Sequence, residues 1–426
     1  MTANPAPDAP GHRGVRDSRL WVWGIAGVAL AVRLLWVLAV QPEPTHDCKW
    51  YLGRANVFAE RHELVVGGRP TAYRPPLYPV VLGSVFTLSE PSPHVMRGFN
   101  VVCSTLSVIL LYVVTLRLGR SQLAAASAAL LFALYPTDIA YTSLAVSESC
   151  FNMLILGAIA AAPRGKRWRL LVAAAGCCAA MLTRAQGALL VPIVGAWLLV
   201  HTAAGRRVRA GLVFCAIILA LVSPYWLRNA RAFGAFVPIA NNGGVNLYIG
   251  NNPVATGGYR FDRKVELTLP RPFDMKRLGN GGPDESQIDR ELNRLARKYI
   301  EAHPAETLAK WPAKLSLLYR TDPTAFDWNN DHKTRHGWFY AAAASCNGVY
   351  YAGLWLLALG AVLTQWRRNP RVLLALVLVT LLTASHLVYF GDPRFHHPMM
   401  PWVSLLAGVW VASAWHAVRA GVRASV

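Results

Sequence analysis

Charge is what this sequence has least of: 15% of its 426 residues are Asp, Glu, Lys or Arg, and the acidic ones number only 22 against 43 basic ones. The local signatures of several enzyme classes are also missing. There is no Gly-rich loop ending in Gly-Lys-Ser/Thr to cradle nucleotide phosphates, no His-Glu-x-x-His to hold zinc on one helix face, and no zinc-spaced set of cysteines. An ATP-driven pump and a zinc protease therefore have no local support. The seven cysteines are odd in number and lie mostly in apolar stretches, as Cys103, Cys177, Cys178, Cys215 and Cys346 do, which gives no disulfide framework. Cys48 and Cys150 are the two whose positions would allow a pair. The first apolar run follows an Arg-containing polar leader, and no small-residue cleavage site comes after it. It reads as a retained helix and not as a cleaved signal peptide.

Hydrophobic length, by contrast, is abundant. Of the residues, 54% are hydrophobic, with long runs at Leu20 to Val40, Phe99 to Leu116, Leu212 to Leu227, Trp338 to Leu363, Val372 to Phe390 and Trp402 to Val418. About 20 apolar residues match a hydrocarbon core of roughly 30 Å, so these runs read as transmembrane helices. The net charge of +21 suggests nucleic acid until its placement is considered. The basic residues cluster in short gaps between apolar runs: Arg13 to Arg19, Arg117 with Arg120, Arg164 to Arg169, Arg206 to Arg209, Arg367 to Arg371, and Arg419 with Arg423. Asp8 and Asp17 are the only acidic residues on that side. This is a positive-inside pattern and speaks against a nucleic-acid partner.

Placing all six clusters on the cytoplasmic side predicts ten crossings, at about 20–40, 98–116, 121–137, 146–162, 168–183, 187–203, 208–227, 338–363, 371–390 and 398–418. The run Leu77 to Leu88 is short for a crossing, and counting it would invert every later cluster, so it reads as a re-entrant or interfacial helix. The predicted fold class is an all-α integral membrane protein: a bundle of about ten transmembrane helices with interfacial helices and a mixed extracytoplasmic loop region. Its parts are a cytoplasmic tail (1–19), a transmembrane module (20–227) with an outer loop (41–97), an extracytoplasmic loop region (228–337), C-terminal transmembrane helices (338–418) and a second cytoplasmic tail (419–426). The 228–337 region opens with the turn signals Asn241-Asn242-Gly243-Gly244 and Gly250-Asn251-Asn252-Pro253. An amphipathic helix is expected from about Pro283 to His303, with Leu292, Leu295, Tyr299 and Ile300 on one side. This region either caps a site or packs on its own helices.

With this topology Asp47, Arg74, Asp138, Glu148, Arg184, Arg228, Arg394, His396 and His397 all fall at or near the outer ends of helices. A carboxylate in Thr45-His46-Asp47-Cys48-Lys49-Trp50-Tyr51 and an arginine in Tyr73-Arg74-Pro75-Pro76-Leu77-Tyr78-Pro79, both at a bilayer surface, suit chemistry on a lipid-linked phosphate.

These residues, in this order and on this side, form a pattern. Asp47 with Tyr51 and Ala55, Arg74-Pro-Pro-Leu-Tyr-Pro, Ser147-Glu148, Leu182-Thr183-Arg184, Trp226-Leu227-Arg228-Asn229, the two Gly/Asn turns, and Arg394 before Pro398 and Pro401 resemble the C-type (GT-C) membrane glycosyltransferases. Among them the chain is most similar to bacterial relatives of dolichyl-phosphate-mannose protein mannosyltransferases (glycosyltransferase family 39) and to the aminoarabinose transferase of lipid A. The resemblance runs over nearly the whole chain. It implies inverting transfer of one sugar from a polyprenyl-phosphate-linked donor to an acceptor hydroxyl, at the outer face of the bacterial inner membrane. The expected partners are that donor, an envelope glycan, lipid or protein acceptor, and membrane lipids.

On this reading Asp47 is the general base that takes the proton of the acceptor hydroxyl. Arg74, Arg184 and Arg394 hold the donor phosphate, because a guanidinium binds phosphate oxygens in a fork. The bland alternatives are that Arg184 snorkels from a helix end and that Arg74 is an ordinary interfacial charge. Cys48 departs from the Asp-Glu pair frequent in the family, which weakens any metal-binding reading. A carboxylate base with an arginine clamp needs no cofactor, and a divalent metal stays open. Glu148 either binds acceptor or positions Asp47, or else pairs with an arginine such as Arg33, whose charge inside the first span needs a partner. Tyr51 and Arg228 belong to the supporting set. His396 and His397 bind phosphate or are structural, and Asp138 reads equally as a helix-end turn. Asn242 and Asn251, with Asn229 and Asn252, either bind sugar hydroxyls or shape turns. The competing function is a transporter or flippase, or a non-catalytic binder, of polyprenyl-phosphate sugars. A transporter would favour a charge pathway at the midplane and repeated halves, of which only Arg33 offers a hint.

Overall fold

The computed structural model describes residues 13–162, 167–260, 262–269, 279–330 and 337–424. Arg164 and Lys166 of the third basic cluster, and residues 1–12 of the expected N-terminal tail, lie outside them. Helix α1 (Arg13–Ala39) carries the first apolar run, and Pro42 and Pro44 stop it, since a residue before proline is pushed out of the helical region. Helix α2 (His46–Arg61) follows, with Asp47 in its first turn, and ends where His62 turns left-handed at φ 55°. A hairpin pairs Val65 with Pro70 and Val66 with Arg69. Gly67 and Gly68 supply the positive φ that its tight turn requires. Helix α3 (Leu77–Phe86) has 10 residues, about 15 Å at 1.5 Å per residue and half of a hydrocarbon core. It lies against α2, and Gly83 permits this because a side chain there would strike the Ala55 carbonyl.

Helix α4 (Pro93–Gly119) is capped by the Ser92 hydroxyl with proline in its first turn. Next come α5 (Gln122–Ala133), α6 (Pro136–Tyr141), α7 (Glu148–Ala161), α8 (Arg167–Thr183), a 3-10 turn (Ala185–Leu189), α9 (Leu190–Val200) and α10 (Arg207–Phe233). The intervening region holds α11 (Gly243–Gly250), α12 (Arg263–Glu266), α13 (Pro283–Ala302), α14 (Pro304–Ala309), α15 (Trp311–Leu318) and α16 (Thr324–Asp327). The chain closes with α17 (Gly337–Gln365), α18 (Pro370–Val388), a 3-10 turn (Pro393–Met399) and α19 (Met400–Ala424).

Six helices among the described residues are long and apolar enough to span a bilayer: α1, α4, α10, α17, α18 and α19 with the turn before it. Exposure along α1 is inverted relative to a water-soluble protein. Leu35 and Leu38 are 67% and 69% exposed while Arg33 is 0%. An apolar exterior around an enclosed charge is the arrangement lipid demands, and the chain is an integral membrane protein. The crossings expected at 121–137, 146–162, 168–183 and 187–203 each coincide with a shorter helix. Of these, α5 has 12 residues, α7 14, α8 17 and α9 11. Their apolar sequence continues through the non-helical segments at their ends, which hydropathy cannot separate from helix. Most of α5 and all of α7 are packed inside the bundle. In α5, Ala124, Ala125, Ala128 and Ala129 are fully enclosed, and Gly408 of α19 presses on the α5 backbone so closely that any side chain would collide with Ala128.

Helix α13 is amphipathic as expected, with Leu292, Ala296 and Tyr299 buried. The segment between the two Gly/Asn signals is not an open turn but α11. Its glycines let it approach its neighbours, Gly244 against Asp289 of α13 and Gly250 against Tyr389. The Asp289 carboxylate accepts from the N–H groups of Gly244 (2.7 Å) and Val245 (3.2 Å) at the start of α11. Glu285, also on α13, fastens the outer loop: it accepts from the Thr71 hydroxyl and the Ala72 N–H, both at 2.8 Å. The 228–337 region therefore packs on its own helices and also holds the segment that carries Arg74.

Candidate active site

The start of α2, the Tyr73-Arg74 segment, the start of α7, the end of α8 and the 3-10 turn before α19 meet at one end of the bundle. Each delivers one charged side chain. Arg74 forks onto Asp47, with its two terminal nitrogens at 2.7 Å from Oδ1 and 3.1 Å from Oδ2. Arg394 donates to Asp47 Oδ2 at 2.7 Å and through Nε to Glu148 Oε1. Arg184 reaches that same Glu148 oxygen at 2.7 Å. Three guanidiniums thus alternate with two carboxylates, which leaves one positive charge in excess. Burial pushes the Asp47 carboxyl up, but Arg74 and Arg394 outweigh it and hold the pKa below the ordinary carboxylate value.

Each guanidinium lies close to an aromatic ring. Arg394 lies 4.9 Å from the centre of Trp328, Arg74 5.6 Å from Tyr51 and 5.7 Å from each of Trp50 and Tyr73, and Arg184 5.9 Å from Phe151. His46, immediately before Asp47, has a left-handed φ of 41° and stacks on Trp328 at 5.2 Å. A positive φ is uncommon outside glycine, and here it coincides with the turn that presents the carboxylate. The sequence reading named Arg74, Arg184 and Arg394 but missed Trp328. A lone tryptophan in a loop carries no local signal, and only the fold puts it over Arg394.

A second, wholly enclosed network lies beside the first. Arg33 donates to Asp138 at 2.7 Å, to the Ala133 carbonyl at 2.9 Å and to Ser104 at 2.5 Å, and His397 Nε2 sits 3.1 Å from the other Asp138 oxygen. The partner of Arg33 is therefore Asp138 and not Glu148, whose Oε1 is taken by Arg394 and Arg184. The reason is geometric: the α6 turn brings Asp138 to α1, while Glu148 at the head of α7 faces the 3-10 turn. His397 and His396 fix that turn, His396 through the Leu318 carbonyl at 2.8 Å. The Asp392 carboxylate accepts the Arg394 N–H at 3.0 Å.

The remaining predicted residues lie elsewhere. Arg228 donates to the carbonyls of Leu64 (2.7 Å) and Thr71 (3.0 Å), binding α10 to the outer loop. Asn251 donates to the carbonyls of Leu247 and Val388 and receives Lys314. Asn252 closes the end of α11, Asn229 bonds the Val237 carbonyl, and Asn242 precedes α11. Asn229, Asn251 and Asn252 thus shape backbone. Cys48 and Cys150 are buried free thiols, so the pair allowed by their positions does not form. Among the described residues no three His, Cys, Asp or Glu side chains gather as a metal site would require.

Residues 73–227 match the family model described as dolichyl-phosphate-mannose-protein mannosyltransferase. No curated protein sequence matches the chain. Among solved structures, the oligosaccharyltransferase of Archaeoglobus fulgidus in its apo form is 13% identical, with 95% of this chain aligned to 52% of that one at a TM-score of 0.54. The chain has a C-type glycosyltransferase fold. The archaeal oligosaccharyltransferase AglB from Archaeoglobus fulgidus, in complex with an inhibitory peptide and a dolichol-phosphate, is 12% identical over 96% of this chain and 52% of that one, with a TM-score of 0.53. ArnT from Cupriavidus metallidurans bound to undecaprenyl phosphate is 14% identical over 92% of this chain and 77% of that one, with a TM-score of 0.43. The chain spans about half the length of the oligosaccharyltransferase it matches. Within this glycosyltransferase fold, the segment that matches the family model supplies Arg74, Glu148 and Arg184. Asp47 and Arg394 come from either side of it and complete the cluster.

Proposed function

We propose that this chain transfers one sugar from a polyprenyl-phosphate-linked donor to an acceptor hydroxyl, with inversion, at the periplasmic face of a bacterial inner membrane. One observation carries the reading: a half-buried carboxylate and three guanidiniums converge where apolar helices end. A lipid phosphate anchored in the bilayer meets arginines at that depth, and its developing charge as a leaving group is stabilised by their N–H groups. The acceptor oxygen attacks the anomeric carbon while the bond from that carbon to the phosphate oxygen breaks. The bonding pair leaves with the phosphate, and the acceptor proton passes to Asp47. Glu148 holds Arg184 and Arg394 in place. The acceptor is an envelope glycan, lipid or protein hydroxyl.

The test is sugar release and transfer from a panel of radiolabelled polyprenyl-phosphate sugars by purified protein in native membrane lipid extract, beside Asp47→Asn. Transfer by the parent, reduced about 100- to 10,000-fold in the variant with lipid binding retained, is expected for a lost general base. Equal rates in both would take that role from Asp47. Binding without transfer from any donor would replace catalysis with a carrier or flippase role.

A further inference from the structure

Each of the three arginines is held in two ways. Its guanidinium carbon lies near the centre of an aromatic ring, at 4.9 Å for Arg394, 5.6 Å for Arg74 and 5.9 Å for Arg184, and its N–H donors meet a carboxylate. Asp47 Oδ2 already accepts from both Arg74 and Arg394. Oδ1 accepts from Arg74 as well, so three of the four acceptor positions of this carboxylate are filled by guanidinium groups, which lowers its basicity. Glu148 Oε1 is likewise shared by Arg394 and Arg184, while the buried Oε2 has no hydrogen-bond partner among the described residues. The arrangement seen is therefore one in which the candidate base is occupied by the groups that the donor phosphate needs.

We propose that the donor phosphate takes over the N–H groups of Arg74 and Arg394 now held by Asp47, so that donor binding frees the base, and that Trp328 is the positioning residue that holds Arg394 during this exchange. The inference rests on the transferase reading above. The rings make the exchange possible. A ring contact takes up none of the N–H donors, so Arg394 stays over Trp328 while its partners change. His46, stacked on Trp328, ties the same ring to the backbone of Asp47. Phosphate oxygens compete well for these donors, since charge-assisted N–H bonds to phosphate and carboxylate are of similar strength. The acceptor hydroxyl then finds Asp47 Oδ2 free and the carboxylate more basic.

The exchange also moves a proton. The groups facing Asp47 are Arg74 and Tyr73 from the outer loop, Arg394 from the 3-10 turn, Glu148 from α7, Tyr259, and Cys48 on its own helix. Replacing guanidinium bonds with a nearby anion makes Asp47 more basic, so donor binding takes up protons in the weakly acid range. The probe is farnesyl methyl phosphate, a phosphodiester without a proton of its own to lose there. Its binding is followed calorimetrically in buffers of differing ionisation enthalpy between about pH 4 and 8.

Proton uptake in the parent that disappears in Asp47→Asn, with binding retained, is the expected result. Binding without uptake at every pH overturns the exchange while leaving the transferase reading intact. A protein that does not bind the probe loses both. For Trp328, affinity falls roughly threefold to thirtyfold in Trp328→Leu, as for a lost cation–π contact, and is restored in Trp328→Phe. Equal affinity in all three, or equal loss in both variants, removes Trp328 from the mechanism.

Discussion

Arg33 sits within the apolar part of a lipid-facing helix, yet its guanidinium is completely enclosed and bonded to Asp138, Ser104, Ala29 and Ala133. An ion pair at that depth is stable only while both members are present, because the survivor of a deletion is a buried charge without a counter-ion. Arg33→Met and Asp138→Asn are each expected to destabilise the protein by about 3–5 kcal/mol. The double variant should lose clearly less than the sum. Thermal unfolding in detergent measures this, and strict additivity would mean that the two do not act as a pair. The need for a partner was legible in the sequence, since an arginine inside an apolar run demands one. Which acid it would be was not. Asp138 follows Pro136-Thr137 and looks like a cap, while Glu148 looks free, and the choice between them depends on how α6 and α7 are turned. The catalytic candidates were easier to find. Asp47, Arg74, Arg184 and Arg394 stand out because charge is rare in this chain and each lies next to the end of an apolar run. Trp328 has no such contrast, with fifteen tryptophans in the sequence.

At the scale of elements, the long apolar helices and the amphipathic α13 follow directly from periodicity and length. The short helices α5, α7, α8 and α9 do not, because residues that pack helix on helix are as apolar as residues that face lipid. The joint between α13 and the outer loop was also hidden, since Glu285 lies on the polar side of a helix that otherwise reads as solvated. Burial pushes the Glu285 carboxyl above its ordinary value, against the hydrogen bonds from Ala72, Thr71, Asn241 and Gly281 that favour the charged form. In the folded state it holds its proton to higher pH than in the unfolded chain, so the folded form binds more protons between about pH 4.3 and the raised folded value. Stability conferred through this group is therefore greatest below that window and falls as pH rises through it. The unfolding midpoint, followed across the weakly acid range, should decline less steeply in Glu285→Gln than in the parent. Identical slopes would mean that Glu285 does not titrate in this joint.

For the whole molecule, the distribution of arginine is the strongest large-scale signal, and it makes a claim about sidedness that geometry alone does not. Asp47 and the ion-pair cluster lie at one end of the bundle. Arg117, Arg206, Arg207 and Arg371 lie at helix ends that the charge bias assigns to the opposite, cytoplasmic side. Ser89, just beyond α3, and Arg206, just before α10, are both exposed and report on the two sides. With a membrane-impermeant maleimide on intact spheroplasts, Ser89→Cys should label at once and Arg206→Cys only after permeabilisation, above the background of the native thiols. The outcome fixes more than orientation. A lipid phosphate is reached by these arginines only in the leaflet where they end, so the reverse labelling pattern would move the reactive face to the cytoplasm. Donor and acceptor would then both have to be sought there.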